Sequence, residues 1–466
     1  MRILRIAFLF SPFFFSSLFA QTYYKKDLLI DLHYLDSAFR FGHPSKLAFP
    51  NDFDFRPKIK ELNEKLPDEL TKNQYSNAVR ELLMEVKCLH TSYAGWKDND
   101  SKPPLKEKFF PNFAFTDGKH VWINENVHDS LPTSLAFGDE IISINGHKMD
   151  NIVPILMNAH PDDGPGRQIN KYIINNFFPQ ILSRCIPKDT IFSVVSKDPS
   201  GKENTTIIEG CAFKEKVEID AESIHQGNQS YFSLLNNSLG YIRIKSIQKK
   251  ENSFYEKAFQ TIADSNIQTL ILDLRNNPGG NLFSCVDFLG YILPDTSRFT
   301  FTYPKDNMRP FLSWKKRRKI SRGNFMLRVF KAESKVKTAE GKVYTMLIKP
   351  KSNLHFDGKL YVLTSELTAS GASVISSYAR HQRESTLIGQ TTGGGEYFLN
   401  AAIGRYPTLE LPQSGILIQT ATHQIRFDTP AQHFTGITPD ILIQYDATTF
   451  GKRDLEMEKV LELIGQ

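Results

Sequence analysis

The sequence predicts an α/β protein with a mixed sheet, preceded by a β-rich module and a helical N-terminal segment. Three observations carry this. From residue 215 onward, short apolar runs ("LGYIRIKSI", "TLILDLR", "LYVLTS", "TLIGQT") alternate with helix-like stretches such as "FYEKAFQTIADS" and "GASVISSYARH". That is the rhythm of strands buried between helices. Upstream, "FAFTDGKHVWI" and "LAFGDEIISINGHKMDNIVPIL" read as short strands joined by tight turns. Earlier still, Val79, Leu82, Leu83 and Val86 recur at the spacing of one buried helix face.

In chain order, Arg2 and Arg5 precede the apolar "IAFLFSPFFF", and small residues lead up to Ala20. This layout predicts a signal peptide over 1–20 and export to the periplasm or the exterior. The apolar core falls short of the ~20 residues a span needs, so no stable membrane span is expected. A helical domain is expected over 21–104, closed by the polar linker "KDNDSKPP". The β-rich module is expected over 105–214, with Ile141, Ile142 and Ile144 in a strand and Asn145-Gly146 as its hairpin turn. The α/β domain occupies 215–466, with a basic insertion at about 299–357 that contains "KKRRK". The insertion reads as a solvated excursion; a basic lid that meets acidic substrates or a membrane surface is the alternative.

Composition excludes several classes. The chain has 466 residues, 40% hydrophobic and 23% charged, which suits a full core. Its formal charge of +6, or +4 without the two leader arginines, is too small to argue for nucleic acid. Cys88, Cys185, Cys211 and Cys285 lie far apart with no metal-ligand spacing, so a zinc site is not expected. Cys185 and Cys211 are the nearest pair for a disulfide.

Two stretches carry chemistry. In "TLILDLRNNPGGN" a buried strand ends abruptly in a polar corner. Pro278 fixes its own φ, and Gly279 and Gly280 open angles closed to other residues, so backbone amides are left free to face a cleft. Oxyanion binding needs such donors; a purely structural turn is the alternative, braced if Asp273 and Arg275 pair. In "LYVLTSELTASGASVISSYAR" a strand, a small-residue turn and a helix follow one another. Ser370 stands at the helix start beside the amide of Gly371, as nucleophile elbows arrange it. It also suits an N-cap, and Ser365, Thr368 and Ser373 are competing hydroxyls.

The ordered set "DLRNNPGG", "LTASGAS", "LIGQTTGGG" and "FTGITPDILI" resembles the C-terminal processing (tail-specific) serine peptidases, from about Phe109 to Tyr445. The resemblance implies a PDZ domain ahead of an α/β catalytic domain of ClpP/crotonase-like type, a peptide or protein substrate and no cofactor. It implies Ser370 as nucleophile and the backbone of Gly279, Gly280 and Gly371 as the oxyanion hole. One branch of the family places a lysine base where this chain has Gly395, which excludes a Ser-Lys dyad there. The other branch, similar to the tricorn core protease, takes its base from upstream of the PDZ segment, and "CLHTSY" makes His90 that residue. That branch orients its histidine through a serine and a glutamate, where this chain holds Leu89 and His433. Asp428 and Glu396 are the candidate substitutes. The expectation is an exported serine endopeptidase; the alternative is a non-catalytic peptide- or lipid-binding protein on the same fold.

Overall fold

The computed structural model describes residues 22–97, 108–126, 135–186, 189–212, 229–330, 332–430 and 434–465. The expected signal peptide, most of the linker, the 214/215 boundary and His433 lie outside the described residues.

Helices α1 (Lys25–Gly42), α2 (Arg56–Lys65) and α3 (Lys72–Met84) come first. A capping box starts α3: Thr71 Oγ1 accepts the Gln74 N–H, and Gln74 Oε1 accepts the Thr71 N–H. Leu28, Leu32, Val79 and Leu82 are fully buried in the same apolar core as Leu270, Leu272, Val362 and Ile375. The expectation of a separate helical domain over 21–104 is therefore corrected: these helices form one wall of the α/β body. Periodicity reveals that a face is buried and is silent on what buries it.

The β-rich module is an antiparallel sheet. Its strands lie in the order Glu203–Glu209, Ile191–Lys197, Glu140–Ile144, Val121–Asn126 and Asn112–Thr116. Helices α4 (Met149–Leu156) and α5 (Gln168–Leu182) accompany it, and its own core includes Phe110, Ile123, Ile144, Phe178 and Val194. Asn145 and Gly146 turn the hairpin with φ of 50° and 76°, both left-handed as such a turn requires.

In the α/β body, strands Leu239–Arg243, Thr269–Asp273, Lys359–Thr364, Thr386–Gly389 and Ile441–Leu442 run parallel in that spatial order. Tyr231–Leu234 adds an antiparallel edge. Helices α6 (Asn252–Asp264), α7 (Leu282–Leu289), α8 (Trp314–Phe330), α9 (Gly371–Arg383) and α10 (Leu455–Leu463) follow among the described residues. Side chains from α6, α7 and α9 share one core with Leu270, Leu272 and Val362 of the sheet. Val460 of α10 packs with Ile271, Leu363 and Ile388 on the opposite face. Both faces are covered, which explains why these strands show no polar alternation.

A second sheet corrects the expected insertion. Strands Ser297–Pro304 and Gly341–Ile348 pair with each other and join His423–Phe427 and Phe398–Ala401, with Ser334–Lys337 at the edge. Phe299, Phe301, Tyr344, Met346 and Ile348 enter the main core. The apolar alternation in "SRFTFTYP" and "GKVYTMLI" was the signal for these strands, hidden beneath the charge run. That charge run itself lies on α8. All four cysteines are free thiols.

Candidate active site

The polar corner is braced from below. Arg275 grips Asp273 through Nε–Oδ1 at 3.0 Å and Nη2–Oδ2 at 2.7 Å, and its Nη1 reaches Asp454 at 2.5 Å and Glu456 at 3.1 Å. The Tyr241 hydroxyl donates to Asp273 at 2.6 Å. Burial alone would raise the Asp273 carboxyl, but the charge and hydrogen bonds of Arg275 outweigh it and hold the group at about 2. Asp273 therefore stays ionised across the neutral range.

Above it, Asn277 Nδ2 donates to the Ile244 carbonyl at 2.8 Å, and its Oδ1 accepts the Gly279 N–H at 2.8 Å. That contact corrects the expected oxyanion role of Gly279, whose amide is already occupied. Among the described residues the amides of Gly280 and Gly371 have no acceptor. They are neighbours: the Gly280 nitrogen lies 3.6 Å from where a Cβ on Gly371 would stand. Side chains are barred from this corner. A Cβ on Gly279 would sit 2.6 Å from Ser370 Cβ, and one on Gly280 would sit 2.0 Å from the Ile247 oxygen, at φ of 90° and 147°.

Ser370 joins the strand Lys359–Thr364 to α9 with φ 52° and ψ −123°. Such a backbone costs about 1–3 kcal/mol in a residue other than glycine. The side chain occupies the N-cap position yet caps nothing, forgoing about 1 kcal/mol. The competing hydroxyls are engaged in holding the turn. Ser365 Oγ accepts the Asn276 N–H at 2.9 Å, Thr368 Oγ1 donates to the Leu274 carbonyl at 2.9 Å, and Ser373 Oγ donates to the Ser370 carbonyl at 2.8 Å. Ser370 Oγ instead meets His90 Nε2 at 3.1 Å.

His90 sits in the turn after α3, its ring stacked on Tyr406 at 5.4 Å and 4°. Burial, reinforced by the nearby His160, pushes the imidazole down to about 4, so it is neutral at pH 7. A neutral ring that accepts at Nε2 carries its proton on Nδ1. Nδ1 is buried and makes no hydrogen bond of normal geometry, although the Asn400 backbone is close enough to nudge the pKa upward.

Neither candidate acid serves it. Glu396 Oε1 pairs with His381 Nε2 at 2.8 Å and Arg380 at 3.5 Å, both in the last turn of α9, and Asp428 pairs with Arg298 at 3.3 Å. Gly395 has no room for a lysine side chain, since its Cβ would stand 2.2 Å from the Phe398 oxygen.

Sequence reasoning missed the loop between α4 and α5. Asp163 Oδ1 accepts the Leu89 N–H at 3.0 Å, its own N–H donates to the Gly393 carbonyl at 3.2 Å, and the Gly164 N–H donates to the Lys87 carbonyl at 3.2 Å. The β-rich module thus clips together the turn bearing His90 and the loop behind Ser370, where a Cβ on Gly394 would stand 2.8 Å from Ala369 Cα. Burial pushes the Asp163 carboxyl up to about 8, against the pull of the Leu89 N–H, and its Oδ2 is buried without a partner. The turn-formers of "HPDDGPGR" flag a loop there, but nothing in them names its target. Tyr406 carried no signal at all.

Residues 238–443 match the family described as Peptidase family S41. The chain carries a peptidase family S41 domain. That S41 domain contains Ser370, Gly280 and Gly371, while His90 comes from upstream of it. The chain is 24% identical over 235 residues to a carboxyl-terminal-processing protease of Synechocystis sp., covering 49% of this chain and 44% of that protein. It is 23% identical over 241 residues to the carboxy-terminal processing protease CtpB of Bacillus subtilis, covering 48% and 44%. These alignments span less than half the length of either relative. The structure of mature CPAF complexed with lactacystin shares the fold at a TM-score of 0.63 and 13% identity, over 95% of this chain and 98% of that one.

Proposed function

We propose that this S41 protein is a serine endopeptidase acting on protein or peptide tails, with Ser370 as nucleophile and His90 as its base. The observation that carries the reading is the 3.1 Å contact between His90 Nε2 and Ser370 Oγ, made across 280 positions by a serine whose side chain caps no helix amide. Neutral His90 takes the Ser370 proton as Oγ attacks the scissile carbonyl. The amides of Gly280 and Gly371 receive the oxyanion, and such donors are each worth about 10²–10³ in turnover. The protonated ring then passes its proton to the departing amine, and water releases the acyl-enzyme. No step calls for a cofactor.

The β-rich module is proposed to act as a PDZ-like tail holder. A cavity of about 350 Å³ opens where it meets the parallel sheet, lined by Phe115, Lys171, Glu366, Gln390 and Phe450 among others. A lysine beside aromatic rings suits a terminal carboxylate and the side chains that precede it. Export to the periplasm or the exterior rests on the leader read in the sequence.

The test is hydrolysis of unstructured polypeptides by the chain starting at Gln21, compared with Ser370→Ala. Cleavage that vanishes in the variant is expected. Persistent cleavage in Ser370→Ala, or none in either chain while peptides still bind, refutes the reading. The second of these results favours a non-catalytic peptide- or lipid-binding protein, a reading supported by the unpartnered Nδ1 of His90.

A further inference from the structure

Charge in this chain is segregated. Residues 299–357 hold fifteen Lys and Arg against four Asp and Glu, a formal +11, whereas the whole chain is +6 and the remainder is therefore −5. Part of the excess has a local explanation, since Lys335 and Lys337 lie on an exposed edge strand, where lysines deter pairing with other chains. The run on α8 has no such explanation.

Helix α8 has two faces of different character. At about 100° per residue, Gly323, Lys316, Ile320 and Asn324 fall on one arc, and this arc is anchored. Ile320 is buried, Lys316 Nζ donates to the Thr408 carbonyl at 2.7 Å, and Asn324 Oδ1 pairs with His423 Nε2 at 2.6 Å. A Cβ on Gly323 would stand 2.7 Å from the Ile403 oxygen, so the helix lies directly on the 403–408 loop. The opposite arc carries Lys315, Arg318, Lys319 and Arg322, all exposed. Among the described residues none of the four has an acidic partner. On the flank of this arc stand Trp314 and Phe325, 68% and 56% exposed, with the Arg318 guanidinium 5.5 Å from the Trp314 ring.

We propose that the outward face of α8 docks this protein on an anionic bilayer surface. Four unpaired cations give attraction to anionic headgroups, and two exposed rings beside them give an anchor at the headgroup boundary. An acidic polypeptide would use the cations and leave the rings without a role, so the pairing of the two favours lipid. The same helix rests on the loop whose Tyr406 stacks on His90, so docking brings the cleft to the membrane. The inference stands apart from the peptidase reading and does not depend on catalysis.

The test is flotation of the chain starting at Gln21, which retains every described residue, with phosphatidylcholine vesicles containing or lacking phosphatidylglycerol. Binding to the anionic vesicles alone is expected, weakening as salt is raised. Changing Lys315, Arg318, Lys319 and Arg322 together to Gln lowers the partition coefficient about a hundredfold or more, and Lys319→Gln alone lowers it about fivefold. Trp314→Ala with Phe325→Ala also weakens binding and abolishes a blue shift of tryptophan emission on vesicle addition. All these side chains are exposed, so the melting midpoint stays at the wild-type value. No preference for anionic vesicles, or equal binding by the four-fold variant, overturns the proposal. Displacement by soluble polyglutamate, with the Trp314/Phe325 variant binding like wild type, overturns it in favour of an acidic polypeptide.

Discussion

The turn that presents Ser370 and the turn that presents His90 meet at 3.1 Å, yet they are built in opposite ways. Around Ser370 the side chains that hold the turn are matched: Ser365, Thr368, Ser373 and Asn277 each close a bond, and the Asp273–Arg275 cluster holds the corner beneath, leaving the amides of Gly280 and Gly371 open. Around His90 the polar atoms are unmatched. Its Nδ1 and Asp163 Oδ2 are both buried without partners, and the acids that would complete a triad are bound elsewhere. The nucleophile's side is local, made by two strands and a helix start. The base's side is assembled from distant pieces, with α3, the 403–408 loop and the β-rich module each supplying a contact. Strain at Ser370 is sustained because its surroundings over-determine it; the position of His90 depends on packing.

That contrast is open to experiment. Ser370→Ala should lower turnover by about 10⁴-fold or more while leaving the melting temperature near wild type, measured by peptide cleavage and calorimetry. A large loss of stability would mean that the hydroxyl holds the turn after all. Gly280→Ala forces a Cβ to within 2.0 Å of the Ile247 oxygen and displaces a proposed oxyanion donor. A loss of about 10²–10³ in kcat with a smaller change in KM is expected, and an unaltered kcat would remove Gly280 from the chemistry.

Arg275→Ala leaves the buried Asp273 uncompensated and should destabilise the fold by about 3–5 kcal/mol in denaturant titration. The sign with pH follows from the depressed carboxyl, whose stabilisation is present above its unfolded pKa and fades as pH falls toward about 2. The variant's deficit should therefore narrow in acid.

His90 provides the fourth test. Its pKa is lowered to about 4, so the base stays unprotonated well below the usual ~6.5 of histidine. The acid limb of kcat/KM should lie near the lower value. A limb near the ordinary value would show the ring to be hydrated or paired with an ionised acid, and would erase the contrast between the two turns. The smallest effect is expected for Tyr406→Ala, about three- to tenfold in kcat, in line with the loss of one ring stack. Full activity in that variant would show that packing does not orient His90.

The same division explains what the sequence disclosed. Strand Thr269–Asp273, the glycine corner, the Ser370 turn and α9 are contiguous, and local rules of periodicity and turn chemistry reach that far. Thr71 and Gln74 form the capping box that starts α3, a local signal that sequence reasoning left unused. The sharing of one core by α1–α3 and the parallel sheet was illegible, because an amphipathic helix reveals a buried face without its partner. The strands Ser297–Pro304 and Gly341–Ile348 were legible in principle, since Phe299, Phe301, Tyr344 and Met346 alternate with polar residues, but the charge run between them drew the reading toward an excursion. Asp163 and Tyr406 gave no warning because each acts through a contact some seventy to three hundred positions away.

The central claim is that His90 activates the Ser370 hydroxyl. Mass-spectrometric mapping of a fluorophosphonate adduct, with its rate compared between wild type and His90→Gln, tests it directly. The account predicts a single adduct on Ser370 that forms about a hundredfold or more slowly in the variant. An adduct on another residue, or equal rates in the two proteins, would contradict it.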